Sequence, residues 1–480
     1  MKPTRALPAL ALLALPALPA AQAPVFQPEI LATSGFPTAV NTHGQAVGWR
    51  SEVGILRAWV ASEVGEELLP LPPGMASSRA DDVNDLGVIV GRVSDGGLAE
   101  IGFPAVWTPS ESGYEVQLLP VLPSGTFGAA TAINNLGDIV GYTNTTGFGG
   151  GPATLFTAPG GPQSLVALGF AAAPADINDQ RQLVGGRYRL DLDTGVVEDL
   201  GVPPSPPNYL WTTAAAINEA GQVASTAQLA TAGNDPRQVA RYTDGIGWEV
   251  LSPAGALNAP LGIDAAGNVL LQYGAGAALI QALYVDGVGL TPLEDLVDPA
   301  AGSWSIVSNL IAAMNEGGEA VTTGGTLGLG GVVRLSPSAA AAVPYGCAGP
   351  AGSLATVSPP VLGTTASLTL DDPLGALTPG AASLLAFSLA PQPAYPCGTA
   401  VPGWGLAGAA AAGELLVTAG TATLLPGSAW SGSPLTVPVP LPSSPALVGE
   451  RVYAQGAFVD GAPGGVGIGL TSGLMLRLGS

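Results

Sequence analysis

The chain is short of the residues that many enzymes and metal sites depend on. Among its 480 residues are one histidine, His43, two cysteines and one lysine, Lys2. A P-loop and a Schiff-base site both need a lysine, and the chain has none after Lys2. Multi-histidine zinc sites, two-histidine iron sites and four-cysteine clusters need more ligands than the chain contains. These classes of site are excluded.

Charge is also scarce, and what there is has mostly one sign. Charged residues make up 10% of the chain, and the 35 acidic and 14 basic residues give a net charge of −21, where about 25% charged residues is usual. An acidic surface repels phosphate, so we expect no nucleic-acid partner. With 47% hydrophobic residues the chain is not of a disordered type. The 69 glycines and 45 prolines favour strands joined by many turns over long helices.

The N-terminus has the pattern of an export signal. Lys2 and Arg5 precede an apolar run over 6–18, and Ala21-Gln22-Ala23 offers an A-x-A cleavage site. The apolar run is interrupted by prolines and is short for a bilayer core of about 30 Å. We therefore predict a signal peptide over residues 1–23 and a secreted, extracellular or cell-surface protein. No transmembrane segment is predicted in the mature chain.

A unit with the centre A-x-I-N-x-x-G-x-(I/V)-V-G recurs seven times before residue 335, at spacings of 40 to 51 residues. Apolar residues on both sides of a polar turn predict a β-hairpin. In that turn the Asn side chain can bond the backbone two residues on, and the Gly supplies a positive φ. The predicted turn residues are Asn41, Gly44, Asn84, Gly87, Asn134, Gly137, Asn178, Asn218, Gly221, Asp264, Gly267 and Asn315.

Two further marks accompany each turn, an apolar pair before it and an aromatic or apolar strand after it. About four short strands per unit, repeated about every 45 residues, are typical of a propeller blade. We therefore predict an all-β protein with a seven-bladed β-propeller over residues 24–335, in which 331–335 completes the first blade and closes the ring. An open solenoid is the alternative, but it needs polar capping repeats that the sequence does not show.

The repeat resembles the HAF-repeat family of bacterial extracellular proteins, through the I-N-x-x-G-x-I-V-G core and the strand that follows it. The resemblance covers about residues 28–335. Only Asp199-Leu200-Gly201 keeps the family's D-L-G pattern, and no unit keeps H-A-F. The resemblance implies an exported repeat protein and carries no catalytic residues to transfer.

The repeat ends before a second, different segment. Residues 336–343 have the composition of a linker, and residues 344–480 contain alternating runs separated by turn residues, which predicts an antiparallel β-sandwich. Cys347 and Cys397 are the only cysteines. In an exported protein they are expected to form a disulfide.

Single residues offer few candidate sites. His43 occupies a variable turn position, so we expect it to be exposed. Arg181 stands where other repeats carry Gly, so a change of turn type is expected there. Asp191-x-Asp193 superficially suggests calcium ligation but lacks a third ligand and the distal Glu of an EF-hand loop. The pairs Asp81-Asp82 and Asp371-Asp372 are expected to lie in solvated turns, and the tryptophans and tyrosines after each turn in the blade core.

The sequence therefore favours a non-enzymatic binding module for an extracellular glycan or protein. The alternative is a polysaccharide hydrolase or lyase, for which two acids should converge at the channel mouth about 5–10 Å apart, one with a raised pKa. A surface structural component is a third reading. No catalytic, cofactor-binding or metal-binding residue is nominated, and calcium stays open as a cofactor.

Overall fold

The computed structural model describes residues 23–480, apart from 97–101, 111–112, 146–150, 158–159, 205–207, 231–235, 276–277, 308–311, 327–328, 348–352, 394, 407–410, 419, 421, 444–446, 463–466 and 480. The predicted signal peptide therefore lies almost wholly outside the described residues. The described chain is nearly all β, with no α-helix. Short 3₁₀ helices lie at Leu165–Leu168, Leu293–Leu296 and Pro299–Ala301.

Five separate four-stranded antiparallel sheets follow one another along the chain, each built from consecutive strands. Their strands are short because Gly, Pro and Asn end each apolar run after a few residues. The first three sheets are β2 to β5 (Phe36–Val40, Ala46–Glu52, Ile55–Ser62, Gly65–Leu68), β6 to β9 (Ser77–Val83, Ile89–Ser94, Phe103–Ser110, Gly113–Leu118) and β10 to β13 (Phe127–Ile133, Ile139–Asn144, Ala153–Leu155, Gln163–Ser164). The next two are β14 to β17 (Asp176–Ile177, Gln182–Gly185, Tyr188–Asp191, Val197–Asp199) and β18 to β21 (Tyr209–Ile217, Val223–Leu229, Arg237–Thr243, Gly247–Val250).

The last two repeats share a nine-stranded sheet that also contains the N-terminal strand. Its two halves meet where the inner strands of repeats six and seven pair in parallel at Gly262 and Met314. The strands are β22 to β25 (Ala259–Ile263, Val269–Ala275, Ala278–Val285, Gly289–Pro292), β26 to β29 (Trp304–Ile306, Ala313–Met314, Ala320–Thr326, Leu329–Pro337) and β1 (Phe26–Ala32).

The start of the array is tied to its end. Strand β1 pairs antiparallel with β29, from Phe26 opposite Pro337 to Ala32 opposite Val332. Residues 331–335 do pair with the N-terminal strand, but they do not complete the first sheet, which consists of β2 to β5 alone. The N-terminal strand becomes the outer strand beside those of the seventh repeat.

Apolar clusters fill each junction between successive repeats. Trp107 of the second repeat packs with Val47 and Leu69 of the first, and equivalent clusters join every later pair of repeats up to the seventh. One more cluster joins Val321 and Val332 of the seventh repeat to Trp59 of the first. A four-stranded sheet can bury both of its faces only between two neighbouring sheets. Burial of apolar side chains therefore stabilises each repeat through its neighbours, and the cluster between the seventh and first repeats closes the series.

The C-terminal residues form a five-stranded sheet, a three-stranded sheet and a small hairpin. Leu368 and Val437 of the three-stranded sheet pack against Leu385 and Phe458 of the five-stranded sheet, around one buried core. The strands are β30 to β34 (Ala341–Tyr345, Ser353–Thr356, Thr365–Asp371, Ala382–Ser388, Thr399–Val401) and β35 to β39 (Gly413–Leu415, Thr423–Pro426, Leu435–Pro440, Arg451–Asp460, Gly467–Arg477). Strands β29 and β30 leave only residues 338–340 between them.

A buried polar cluster joins the C-terminal sheets to the repeats. Glu319 of the seventh repeat, 1% exposed, forms ion pairs with Arg451 and Arg477, and Arg451 also lies 2.8 Å from Glu63 of the first repeat. Burial alone would raise the pKa of Glu319, but the neighbouring guanidinium groups lower it to about 2. The C-terminal sheets are thus held on the turns of the last and first repeats.

Strand β1 gives a direct test of how the array is tied. The Phe26 side chain is fully buried among residues of repeats six and seven. In the chain 24–480, Phe26→Ala should lower the free energy of unfolding by about 3–5 kcal/mol in urea denaturation. The matched control is Val25→Ala, because Val25 is 42% exposed and should change stability by less than about 0.5 kcal/mol. Equal effects of the two changes would show that β1 is not docked.

Candidate functional site

The seven Asn/Asp turns lie together and form the most ordered polar feature of the molecule. Asn41 Oδ1 accepts hydrogen bonds from the backbone N–H of His43 and Gln45, and the Gly44 N–H closes the turn on Asn41 O. The expected bond to the backbone two residues on is therefore present. Positive φ values occur at Gly44, Gly87, Gly137, Gly221 and Gly267, and also at Gly318 of the seventh repeat.

The second half of each asparagine side chain bonds the next repeat. Nδ2 of Asn41, Asn84, Asn134 and Asn178 donates to the main-chain oxygen of the next turn Asn at 3.0 Å. Asn218 donates in the same way to Asp264 O at 2.9 Å. Asn315 of the last repeat donates back to Asn41 O. We call this closed series the asparagine cycle.

The sixth repeat carries the one interruption in the asparagine cycle. Asp264 keeps the turn, accepting from the N–H groups of Ala266 and Asn268, but a carboxylate has no N–H to pass on. Here the backbone substitutes, because Ala265 N donates to Glu316 O at 3.0 Å. The same two repeats are the pair joined by the parallel strand contact.

Acidic side chains form a second series beside the asparagine cycle. In five of the seven repeats, the residue after the turn residue offers its carboxylate or amide oxygen to the N–H at the same position in an earlier repeat. Asp85 accepts from Thr42, Asn135 from Asp85, Asp179 from Asn135 and Glu219 from Asp179, at 2.6–2.9 Å. Glu316 accepts from Glu219 N at 2.9 Å. Side-chain oxygens, mostly of carboxylates, thus accept main-chain N–H groups of other repeats.

These residues and the inner strands enclose a central cavity of about 240 Å³. Two deeper acids, Asp82 and Asp176, line it two residues before the turn Asn. Both oxygens of Asp82 accept backbone N–H groups, from Val83 and from Ile133 of the next repeat. Asp176 does the same with Ile177 and Ile217. The prediction of a solvated turn at Asp81-Asp82 is therefore wrong, because these residues lie on a strand facing the channel.

The channel raises the pKa of several of its acids. Burial, with a contribution from the charge of Asp176, raises the pKa of Asp82 to about 8. Burial likewise raises the pKa of Asp176 to about 7 and that of Glu316 to about 8. At neutral pH the cavity therefore carries less negative charge than it would if all of its carboxyl groups were ionised. Such groups can donate a proton or a hydrogen bond as well as accept one.

His43 is buried, not exposed as its turn position predicted. Its side chain is 4% exposed, and its ring centroid lies 5.3 Å from that of Tyr395 in the C-terminal unit. Burial lowers the pKa of His43 to about 4. The C-terminal sheets cover this turn, and nothing in the repeat pattern predicts that contact.

Arg181 corrects a second expectation. Its φ is 60°, and its N–H bonds Asn178 O as the Gly does in other repeats, so the turn type is unchanged. Two guanidinium nitrogens contact both oxygens of Asp138 at 2.9 and 3.1 Å, and a third contacts Asp193. Such a bidentate pair can offset a backbone cost of the order of 1 kcal/mol.

The remaining candidates are structural. Asp191 Oδ1 accepts the N–H groups of Asp193 and Thr194 within its own turn. Asp372 is buried and caps Leu377 N, which corrects the solvated turn expected at Asp371-Asp372. Trp59 and Trp107 are fully buried in the core, as expected. Tyr188, Tyr242 and Tyr284 are only half-buried and pack at the edge of the apolar clusters.

Cys347 and Cys397 form the predicted disulfide, with their Cα atoms 5.1 Å apart. Potential metal ligands of the described residues converge only where these two sulfurs meet Glu414. Disulfide sulfurs are not thiolates and do not bind metal in the usual way. Within the described ranges, no helix has the length and apolar character needed to cross a membrane.

Asp82 and Asp176 were not predicted as channel residues, although their positions in the repeat carry a signal. At the position two before the turn residue, the other five repeats carry Ala39, Ala132, Ala216, Gly262 and Ala313. An acid at a position otherwise reserved for small residues marks a side chain that projects into the centre of the array.

Comparisons with known proteins add no family to this description. No protein-family model matches the chain, and no curated protein matches it. The similar solved structures include the Bombyx mori GH32 beta-fructofuranosidase BmSUC1, with 9% identity and a TM-score of 0.19 over 95% of this chain and 90% of that one. A sucrose-bound mutant of the same enzyme gives 10% identity and a TM-score of 0.20, over 94% and 90%. A likeness at this level carries no argument about activity.

The asparagine cycle predicts different effects for two changes. Asn134→Ala removes the bond to Asn178 and should cost about 2 kcal/mol of unfolding free energy, because buried partners are left unpaired. Asp264→Asn keeps the turn but replaces Oδ2, which accepts a hydrogen bond from Asn268, with an N–H donor, so it should change the unfolding free energy by less than about 1 kcal/mol. Urea denaturation measures both, with Leu136→Ala as the control, because Leu136 is 63% exposed in the same turn as Asn134. If Asn134→Ala cost no more than Leu136→Ala, the cycle would not be a stabilising element.

The raised pKa values predict an unusual pH dependence of stability. The folded state holds protons that the unfolded state releases above pH 3.8 for Asp82, so unfolding free energy should fall as the pH rises from about 4 to 8. Each such group contributes up to about 1.4 kcal/mol per pH unit. Asp82→Asn should flatten the profile because it removes the titrating group, and it should lower stability at pH 4 because its single oxygen can accept only one of the two backbone N–H groups. Exposed Asp95→Asn should leave the profile unchanged, and identical profiles for Asp82→Asn and parent would contradict the assignment.

Proposed function

We propose that the chain is an exported, non-enzymatic extracellular binding module, built as a seven-bladed β-propeller with a C-terminal β-sandwich. Three features support the architecture: seven Asn/Asp turns linked in a closed series, seven apolar junctions that include one from last to first, and an N-terminal strand on the last sheet. Two sheets around one core support the sandwich. Membership of the HAF-repeat family is part of the same proposal.

The observation that carries a binding role is how the channel acids are used. Asp82 and Asp176 each accept one backbone N–H from the next residue in their own strand and one from the following repeat, so both carboxyl oxygens are occupied. Asp85 and Asp179 likewise accept main-chain and side-chain N–H groups from Thr42 and Asn135. A catalytic carboxyl must contact the substrate at the reacting atoms. These acids instead hydrogen-bond to other repeats and hold them together. The repeats then form a rigid scaffold whose outer surface is available for binding.

Export is supported by the disulfide, the N-terminal sequence pattern and the acidic, nearly lysine-free composition. Disulfides persist in oxidising compartments outside the cytoplasm. The partner is proposed to be an extracellular glycan or protein.

One observation favours the hydrolase or lyase as a second candidate. Glu316 lies in the same cavity as Asp82 and Asp176, and its pKa is raised to about 8 by burial and by nearby acids. Its Oε2 is buried and has no hydrogen-bond partner among the described residues. A carboxyl that keeps its proton at neutral pH is what a glycosidase requires of its general acid.

The two candidates separate in one assay. Chain 24–480 is incubated with soluble starch, xylan, mannan and pectin, and both retention on the polysaccharide and new reducing ends are measured. The binding module should be retained by at least one polysaccharide and should release no more reducing ends than a heat-denatured sample. Reducing ends that disappear in Glu316→Gln, with retention unchanged, would overturn the proposal and assign catalysis to the channel.

A further inference from the structure

The contact between the first repeat and the C-terminal unit buries the only histidine of the chain. His43 is 4% exposed, and its ring centroid lies 5.3 Å from that of Tyr395 and 6.4 Å from that of Tyr345. Gln45 of the same turn is also buried and donates a hydrogen bond to Tyr395 O at 3.1 Å. The C-terminal unit therefore shields this turn from water.

The polar groups beside the His43 ring suit a neutral imidazole. Nδ1 lies 3.1 Å from the hydroxyl oxygen of Thr42, which carries no charge. Asp85 Oδ1 is 4.0 Å from Nδ1, beyond hydrogen-bond distance. Both oxygens of that carboxylate already accept hydrogen bonds, from Thr42 N and from Asn135 Nδ2. A proton on the ring would therefore gain no close ion pair with Asp85.

Guanidinium groups at the same turn oppose a further positive charge. Arg451 of the C-terminal unit donates to His43 O at 3.0 Å and pairs with both Glu63 and Glu319. Those two acids therefore neutralise the arginine and not the imidazole. Arg334 adds another cation, which donates to Gly44 O. Burial raises the pKa of the phenols in the aromatic cluster on this ring, so they stay neutral: Tyr345, Tyr395 and Tyr453.

Docking of the C-terminal unit therefore depends on a neutral His43. Burial lowers the pKa of His43 from 6.5 to about 4, and Arg451 also lowers it, although Asp85 and Glu319 act in the opposite direction. When the turn is uncovered, the ring takes up a proton near its ordinary pKa. The docked state binds fewer protons, so docking weakens as the pH falls from about 6.5 to about 4.

The channel of the ring does not share this sensitivity. The pKa values of Asp82 and Glu316 are raised to about 8, so both acids keep their protons as the solution becomes acid. Glu319, whose pKa is lowered to about 2, stays ionised at pH 5 and keeps its pairs with Arg451 and Arg477. Mild acid should therefore act on the docking of the C-terminal unit before it acts on the repeats.

We propose that the C-terminal unit is an acid-released cover over the turns of the first and last repeats. At neutral pH it hides the His43 turn and its own tyrosines. In mild acid His43 is protonated, the unit undocks, and Tyr345, Tyr395 and Tyr453 become accessible to a partner. Tyrosine is enriched at protein interfaces. Residues 338–340, between β29 and β30, keep the two parts in one chain. The proposed binding function does not depend on this device.

The test measures how often the covered turn opens, using chain 24–480 with Gln45→Cys as a buried thiol. Labelling by a pyridyl disulfide is followed at pH 7 and pH 5, and each rate is divided by that of the urea-unfolded chain at the same pH. Because of the lowered His43 pKa, the corrected rate should rise about 20-fold at pH 5. A second thiol, Ser225→Cys, replaces a side chain that is 1% exposed in the fifth repeat and should show no such rise.

The role of the imidazole is tested by exchanging residues between repeats. His43→Leu introduces the residue that Leu86 and Leu136 provide at this turn position in the second and third repeats, so the turn should still form. In that variant the rise at pH 5 should disappear. The matched control adds Leu136→His to His43→Leu, because Leu136 is 63% exposed. A histidine in that exposed turn should not restore the rise.

Nuclear magnetic resonance gives an independent measurement, because the chain contains a single histidine. The ring signals of His43 should titrate with a pKa well below 6.5 in the parent chain. This measurement needs no added cysteine, so it still decides the matter if Gln45→Cys fails to fold.

Each outcome bears on a different part of the proposal. A rise that persists in His43→Leu would overturn the imidazole as the trigger. Equal rises at Gln45→Cys and Ser225→Cys would show that acid loosens the whole chain, which would overturn a separate cover. No rise at Gln45→Cys, or a His43 pKa at or above 6.5, would overturn the proposal outright. In every case the polysaccharide assay still decides the binding function.

Discussion

The amide group of the turn asparagine is the interaction on which the rest of the structure depends. Its oxygen folds the local turn, and its nitrogen donates to the main chain of the next repeat. An aspartate or serine could make the first contact, but only an amide makes both with one short side chain. The same side chain therefore closes the local turn and links the turn to the next repeat, so that the inner strands of adjacent repeats end side by side. Apolar packing at the repeat junctions then stabilises an arrangement whose register is already defined.

This centre imposes an electrostatic cost that the chain manages with hydrogen bonds. Inner strands point unpaired N–H groups at the channel, and carboxylates such as Asp82 and Asp85 accept them. The acids are close and poorly hydrated, so burial raises the pKa of Asp82 and Glu316. Protonation at neutral pH limits the repulsion that full ionisation would cause. The same protons keep the hydrolase candidate chemically reasonable, although the backbone bonds favour a structural role.

Three of the few basic residues form a buried cluster with one acid. Arg334, Arg451 and Arg477 all lie around Glu319, where the C-terminal unit meets the last and first repeats. Such a buried cluster is strongly destabilised when one partner is removed. It places the C-terminal unit over the turn that holds His43, whose ring centroid lies 5.3 Å from that of Tyr395. The C-terminal unit therefore covers the array at its first and last repeats.

The sequence by itself determined whatever depends on residues close in the chain. The period and the Asn-x-x-Gly turn follow from local pattern, and the pairing of Cys347 with Cys397 follows from counting. The tertiary structure alone decided the burial of His43, the unchanged turn at Arg181 and the channel position of Asp82. Each of these depends on a partner from another repeat or from the C-terminal unit: Tyr395, Asp138 and Ile133. The repeat pattern determines the position of a residue in its turn or strand. The groups that surround its side chain come from segments 40 to 350 residues away in the chain, and no local pattern encodes them.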